Sequence, residues 1–217
     1  MIELVTRKSV FQKLPKIGNE IHLLQKSFYD DCFYDADFLM TEKEKIEFEL
    51  EFDFLEVKPV VDYDFELIRI QSKSYSKNRN IKYYRNLANA LNELLAETIT
   101  KNFYIISYLK MDFFNAMKVH YKAKWYRKSY SKLEKKIKIG SYNEAIKISK
   151  DELIDFLEIF NTIDTFGGGV PEYILICDEN DKFCLLFHYS GQIDFWSFNE
   201  NDFLSDSLLN KCNFKKI

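Results

Sequence analysis

A chain of 217 residues that is 47% hydrophobic and 17% aromatic can bury a sizeable core, and this composition excludes an intrinsically disordered protein. No run of 18 apolar residues occurs and the start of the chain lacks the apolar core of a secretory signal, so we expect a cytoplasmic protein with no membrane span. The net charge of −3 conceals a partition, because residues 1–66 contain 16 acidic and 8 basic side chains, residues 67–150 contain 5 and 19, and residues 151–217 contain 13 and 4. Blocks of like charge of this size indicate surfaces that attract partners of the opposite charge.

The N-terminal part is predicted to be rich in β-structure. Ile2–Val5 has the composition of a short strand, and Asn19–Phe28 places apolar residues along one side of a short helix. The strongest pattern lies in residues 45–54 and 61–67, where apolar and acidic side chains alternate with the period of a β-strand that has one buried side. Pro59 favours a turn between these segments, so they are predicted to pair as a hairpin.

This hairpin would carry acidic side chains on its solvent-facing side. A turn over residues 57–60 sets Asp53 opposite Asp64 and Glu51 opposite Glu66, and directly opposed like charges destabilise a sheet. Such a surface is either simply solvated or neutralised by the fold, by a partner, by a metal or by salt. We predict that it binds a basic protein partner through Glu47, Glu49, Glu51, Asp53, Asp62, Asp64 and Glu66.

The central part is basic and is predicted to contain two long helices. Apolar residues at spacings of three and four indicate an amphipathic helix over Lys82–Thr100, and a similar stripe indicates a second helix over Met111–Lys138. Phe103–Leu109, between them, has strand composition but could equally extend a helix. The interleaved basic and aromatic side chains of residues 82–138 could bind nucleic acid, or they could neutralise the acidic hairpin internally.

The C-terminal part is predicted to contain a helix and an antiparallel meander. Ser149 and Glu152 have the spacing of a capping box that opens a helix ending near Thr165, before the glycines at 167–169. Turn residues then separate three short strands, and a short helix closes the chain. These elements are Tyr173–Cys177, Phe183–Tyr189, Gln192–Phe198 and the helix Glu200–Cys212.

The glycine run Gly167–Gly169, the meander with Gly191, Trp196 and the closing helix together resemble the C-terminal tail of the SUKH immunity superfamily, over roughly a fifth of the chain. The resemblance implies a protein that protects a bacterium by binding a toxin directly. It implies no catalytic residues.

The sequence offers few candidates for catalysis or metal binding. Glu56 and Lys58 share one side of a strand end and could serve a magnesium-dependent nuclease, in which carboxylates hold the metal and lysine stabilises the attacking water. The four cysteines lack CxxC spacing, which argues against a zinc site. Cys177 and Cys184 could approach each other across a hairpin, but buried free thiols are the commoner case in a reducing cytoplasm. We therefore predict no catalytic residues, no metal ligands and no cofactor.

The fold class predicted from these patterns is α+β. Residues 1–76 would form a β-rich part containing the acidic hairpin, and residues 77–217 would form a helical and α+β part, with one continuous domain also possible. The predicted function is that of a bacterial immunity protein, which neutralises a basic and possibly nuclease toxin through an acidic surface. Nucleic-acid binding and magnesium-dependent nuclease activity are the alternatives.

Overall fold

The computed structural model describes residues 2–34, 41–53, 62–74, 81–110, 131, 135–137, 142–157, 174–188, 192–198 and 203–217. Within these ranges the strands are β1 (Ile2–Val5), β2 (Phe65–Ser72), β3 (Asn102–Ser107), β4 (Ala145–Ser149), β5 (Ile174–Asp178), β6 (Phe183–Phe187), β7 (Gln192–Phe198) and β8 (Phe214–Lys216). The helices are α1 (Arg7–Lys13), α2 (Pro15–Tyr34), α3 (Glu42–Glu49), α4 (Ile81–Ala96), α5 (Lys150–Leu153) and α6 (Asp206–Lys211), and a 3-10 turn, Ile154–Phe156, follows α5.

Strands from distant parts of the chain form one antiparallel sheet. Its order across the described residues is β1-β4-β3-β5-β6-β7-β2-β8. β1 pairs with β4, and β2 lies between β7 and β8, so the sheet contains strands from both sides of residue 76. The α+β class is therefore confirmed. The prediction of a β-rich part in residues 1–76 is wrong, because its described residues are mostly in the helices α1, α2 and α3, with β1 and β2 as strands.

Two hydrophobic clusters lie on opposite faces of this sheet, because successive strand residues point to opposite sides. The α4 core contains Phe103 and Ile105 of β3, packed with α4. The α2 core contains Tyr104 and Ile106 of β3, packed with α1 and α2. Since helices cover both faces, the central strands β5, β6 and β7 are buried almost throughout, which explains their nearly continuous apolar sequences.

Several sequence predictions are confirmed. The strand at Ile2–Val5, the amphipathic helix in residues 82–100 and the antiparallel meander of β5, β6 and β7 are all present. Residues 103–109, which could have formed a strand or extended a helix, contribute to the strand β3. The helix predicted at Asn19–Phe28 is the middle of the longer α2.

The predicted strand at residues 45–54 is wrong, because residues 45–49 belong to the helix α3; Phe54 lies outside the described residues. Thr41 and Glu44 form a capping box: the Glu44 carboxylate accepts from the Thr41 amide at 2.8 Å, and the Glu44 amide donates to the Thr41 hydroxyl at 3.3 Å. Glutamate and lysine are also good helix formers and poor strand formers. The alternating phenylalanines concealed these helix signals.

The predicted hairpin is consequently absent. Its second arm contributes to β2, which begins at Phe65 and pairs with β7 and β8 instead of with residues 45–54. In the paired register Phe65 lies opposite Phe198, and Leu67 opposite Trp196. β2 thus extends the C-terminal meander.

Other elements differ from the prediction in extent. Ser149 occupies the N-cap position of α5, yet its hydroxyl contacts the Glu152 carboxylate at 3.3 Å and forms no capping bond to the helix backbone. The closing helix is α6, shorter than predicted at Glu200–Cys212, and it is followed by β8. Most of the helix predicted at Met111–Lys138 lies outside the described residues.

No helix within the described ranges combines the length and the hydrophobicity that crossing a membrane requires.

Candidate binding surface

Two apolar side chains at the end of helix α3 and directly after it are exposed to solvent. Ile46 is 58% exposed and Leu50 is 68% exposed, although both are large hydrophobic residues. The Leu50 amide donates to the Ile46 carbonyl at 3.2 Å, so the helical spacing continues through Leu50 and places the two side chains on one side. Glu42 precedes Ile46 by one turn on the same side and is also exposed.

Charged residues of both signs flank this apolar pair, because Lys43 and Lys45 are exposed between the glutamates of α3. Glu44 and Glu47 are exposed, and the Lys43 ammonium lies 3.6 Å from the Glu47 carboxylate at the i,i+4 spacing. The hydrogen bonds from Thr41 lower the pKa of Glu44 below its ordinary value. The outer side of α3 is therefore an apolar pair flanked by glutamates, with Lys43 and Lys45 also exposed.

The segment after α3 is fixed to the protein by Phe52. This ring is buried in the α2 core, 6.2 Å from the ring of Phe28 and 5.4 Å from that of Tyr29. The Tyr29 hydroxyl also donates to the Glu49 carboxylate at 3.1 Å. One end of α3 is thus held against α2 while Ile46 and Leu50 stay outside.

Asp53 is the centre of a buried ionic network. The Arg7 guanidinium, 1% exposed, donates through Nε to the Asp53 carboxylate at 2.7 Å. Gln25 donates to the same carboxylate at 3.0 Å and accepts from the Asp53 amide at 2.7 Å, and the Lys110 ammonium lies 3.6 Å away. Arg7 also donates to the carbonyl of Ser107 at 2.7 Å. The network joins α1, α2 and the end of β3 to the segment after α3.

The structure separates the seven acidic residues that the sequence analysis places together on the solvent-facing side of the hairpin. Glu47 is exposed on α3, Glu49 is half-buried against Tyr29, and Asp53 is buried. Burial also raises the pKa of the half-buried Glu51. The prediction that all seven share one face of a two-stranded ribbon is wrong, because a helical turn distributes side chains around an axis.

Asp62, Asp64 and Glu66 form a second exposed acidic group, at the start of β2. Asp62 has a backbone φ of 76°, a left-handed conformation that aspartate adopts more readily than most residues. Between the first two, the Tyr63 hydroxyl donates to Glu20 and accepts from the Asn19 amide at 2.5 Å. Tyr63 thus fixes this acidic group beside the first turns of α2.

A histidine–aspartate–arginine cluster lies on the sheet, where His188 follows β6 and Asp194 of β7 pairs with Arg69 of β2. The Asp194 carboxylate accepts from the Arg69 guanidinium at 2.6 and 3.0 Å and lies 2.8 Å from His188 Nε2. Burial opposes ionisation of Asp194, but the bonds from His188 and Arg69 lower its pKa to about 2. Only the pairing of β2 with β7 brings Arg69 to Asp194, so no local sequence signal could have indicated the cluster.

The other residues that the sequence analysis singled out do not form a binding site among the described residues. Among the residues described, no group of three or more histidine, cysteine or acidic side chains could hold a metal ion. The nuclease pair Glu56 and Lys58, the glycines at 167–169 and Gly191 lie outside the described residues. Trp196 is buried in the α2 core.

A scan against protein-family models, a search of curated proteins and a search of solved structures found no match to this chain. The resemblance to the SUKH immunity superfamily stays a prediction from the sequence.

Proposed function

We propose that this protein is a stoichiometric binding protein, of the bacterial immunity type, that neutralises a basic toxin in the cytoplasm. Its contact surface is centred on Ile46 of α3 and Leu50 just after it, and the exposed carboxylates Glu42 and Glu47 flank that centre. The acidic group Asp62, Asp64 and Glu66 is a second region of the same charge.

The observation that carries this proposal is the exposed i,i+4 pair Ile46 and Leu50 on an acidic helix. Apolar side chains at the centre of an interface supply much of its binding energy, and complementary charges around them accelerate encounter and select the partner. A helix without a contact role would gain solubility from polar residues at both positions. The surface therefore fits a partner with a basic rim around an apolar pocket.

The test is protection by co-expression, followed by binding measurements. The chain is produced together with the product of each flanking gene in turn, and survival, Kd and the association rate are recorded. We expect Ile46→Ala and Leu50→Ala each to weaken binding about tenfold or more, which corresponds to about 1.4 kcal/mol. Glu42→Gln with Glu47→Gln should slow association and reduce its dependence on salt.

Ile99→Ala is the matched control, because Ile99 is 83% exposed and lies between α4 and β3. It should leave affinity unchanged. Equal affinity for wild type, the Ile99 variant and the Ile46–Leu50 double variant would refute the α3 surface. Absence of any protection would refute the immunity role.

Nucleic-acid binding remains the second candidate of the sequence. Of its residues 82–138, the structure describes α4 with the exposed Lys82 and Arg85, while residues 111–130 lie outside the described ranges. Binding to DNA or RNA with a steep salt dependence would favour this alternative. Loss of nuclease cleavage on Glu56→Gln would favour the magnesium mechanism instead.

A further inference from the structure

Two buried cysteines lie side by side in the central hairpin of the sheet. Cys177 on β5 and Cys184 on β6 are register partners, and their Sγ atoms are 3.3 Å apart. Directly opposed residues of an antiparallel pair have Cα atoms about 4.5–5.5 Å apart, which lies within the Cα separation that a disulfide spans. A bond between the two sulfurs therefore needs adjustment of the side chains and no change of strand pairing.

The surroundings of this pair favour an intramolecular product. Cys177 and Cys184 form the middle of a row across four strands, flanked by Tyr104 on β3 and Trp196 on β7. All four side chains belong to the α2 core, whereas Cys212 belongs to the α4 core on the opposite face of the sheet. Each thiol of the pair thus has the other as its neighbouring sulfur, and the sheet separates both from Cys212.

Independently of the proposed function, we propose that Cys177 and Cys184 are a reversible two-electron redox site, at which an oxidant of the hydroperoxide class produces a disulfide between β5 and β6. One sulfur attacks a peroxide oxygen and the O–O bond breaks, which gives a sulfenic acid and releases water from hydrogen peroxide or an alcohol from an organic hydroperoxide. The second sulfur then attacks the sulfenic sulfur and releases water. With hydrogen peroxide, two thiols give one disulfide and two waters, and a dithiol reductant reverses the change.

The structure also sets the rate of this reaction. Burial and the adjacent Cys177 hold the pKa of Cys184 well above its ordinary value, and the thiolate is the reactive form. Both side chains are fully buried, which admits a small peroxide more readily than a bulky disulfide. Oxidation, and reduction of the product, should therefore both be slow compared with those of exposed sulfurs.

The test uses the full chain with Cys32→Ser and Cys212→Ser, so that two of the four cysteines remain. The folded protein is treated with hydrogen peroxide well beyond the time in which glutathione in a parallel tube is fully oxidised, then denatured, alkylated and weighed by mass spectrometry. We expect a monomer 2 Da lighter that takes up no alkyl group, and recovery of two alkylated thiols after dithiothreitol. Adding Cys184→Ser should abolish the loss of 2 Da.

The melting temperature supplies the second readout. A disulfide that closes so short a loop should raise the melting temperature of the oxidised monomer by about 5 °C, and the reductant should reverse this rise. Two alkylatable thiols after full treatment, a gain of 16 or 32 Da instead of the loss, or a disulfide-linked dimer would each overturn the site. A disulfide that forms only in urea, or that leaves the melting temperature unchanged, would overturn the cross-link between folded strands. If the background variant does not fold, peptide mapping of oxidised wild type reads the same linkage.

Discussion

The buried ion pair between Arg7 and Asp53 gives the sharpest test of this structure. If Asp53 lay on the exposed acidic side of the hairpin predicted from the sequence, Asp53→Asn would remove charge repulsion, and the free energy of unfolding would stay the same or rise. In the structure the same substitution removes the negative charge that faces a guanidinium 1% exposed. The exposed hairpin and the buried ion pair therefore predict opposite effects of Asp53→Asn on the free energy of unfolding.

The magnitude follows from what remains after the substitution. Removing one partner of a buried ion pair costs about 3–5 kcal/mol, because the other charge stays buried. The introduced carboxamide would retain a side-chain oxygen for Gln25, and Arg7 would keep its bond to the Ser107 carbonyl. We therefore expect the lower end, a loss of about 3 kcal/mol and a fall in melting temperature of about 6–12 °C.

Urea unfolding followed by tryptophan fluorescence measures this loss, since Trp196 is buried in the α2 core. Glu47→Gln is the control, because its ion pair with Lys43 is exposed and should contribute less than about 0.5 kcal/mol. In combination with Arg7→Met, the double variant should lose less than the sum of the single losses. An Asp53→Asn midpoint equal to that of the control would refute the buried network.

Two further predictions concern other buried carboxylates. The lowered pKa of Asp194 stabilises the native state above pH 3.8, and this contribution disappears as the pH falls towards about 2. Asp194→Asn should therefore lower the free energy of unfolding by about 2 kcal/mol at pH 7. In urea unfolding, the difference between this variant and wild type should shrink by about 1 kcal/mol between pH 6 and pH 3. A difference that is constant with pH would contradict the role given to His188 and Arg69. Asp181, in the loop after β5, accepts hydrogen bonds from the backbone amides of Lys16 and Ile17 at 2.9 and 3.1 Å and thus caps α2. Asp181→Ala should lower the free energy of unfolding by about 1–3 kcal/mol. Asp181→Asn keeps an acceptor and tolerates the φ of 58°, so its loss should be less than half of that. Equal losses in thermal unfolding would show that the carboxamide does not replace the cap.

Local sequence was sufficient for the elements whose side-chain pattern matches a single structure. The α4 helix has apolar residues at helical spacing, and the meander has apolar runs separated by turn residues. The sequence also indicated that Cys177 and Cys184 could meet across a hairpin, since the turn between β5 and β6 fixes their register. In each case the deciding contacts lie within a few residues of the chain.

Residues 45–54 show why the candidate surface required the tertiary structure. Their alternation satisfied a strand, while the capping box at Thr41 and Glu44 satisfied a helix, and only the position of Phe52 in the α2 core decides which side chains are buried. Asp53 has the same charge as its acidic neighbours in the sequence. Its burial depends on Arg7, 46 residues earlier in the chain.

The amino-acid sequence alone therefore determined the α+β class, the meander, the long amphipathic helix and the unequal distribution of charge. The tertiary structure decided which acidic residues are exposed, which strand pairs with β2, and that Ile46 and Leu50 face solvent. The physical reason is the range of the interactions: hydrophobic periodicity and capping act over a few residues, whereas burial and ion pairing depend on segments that only the folded chain brings together.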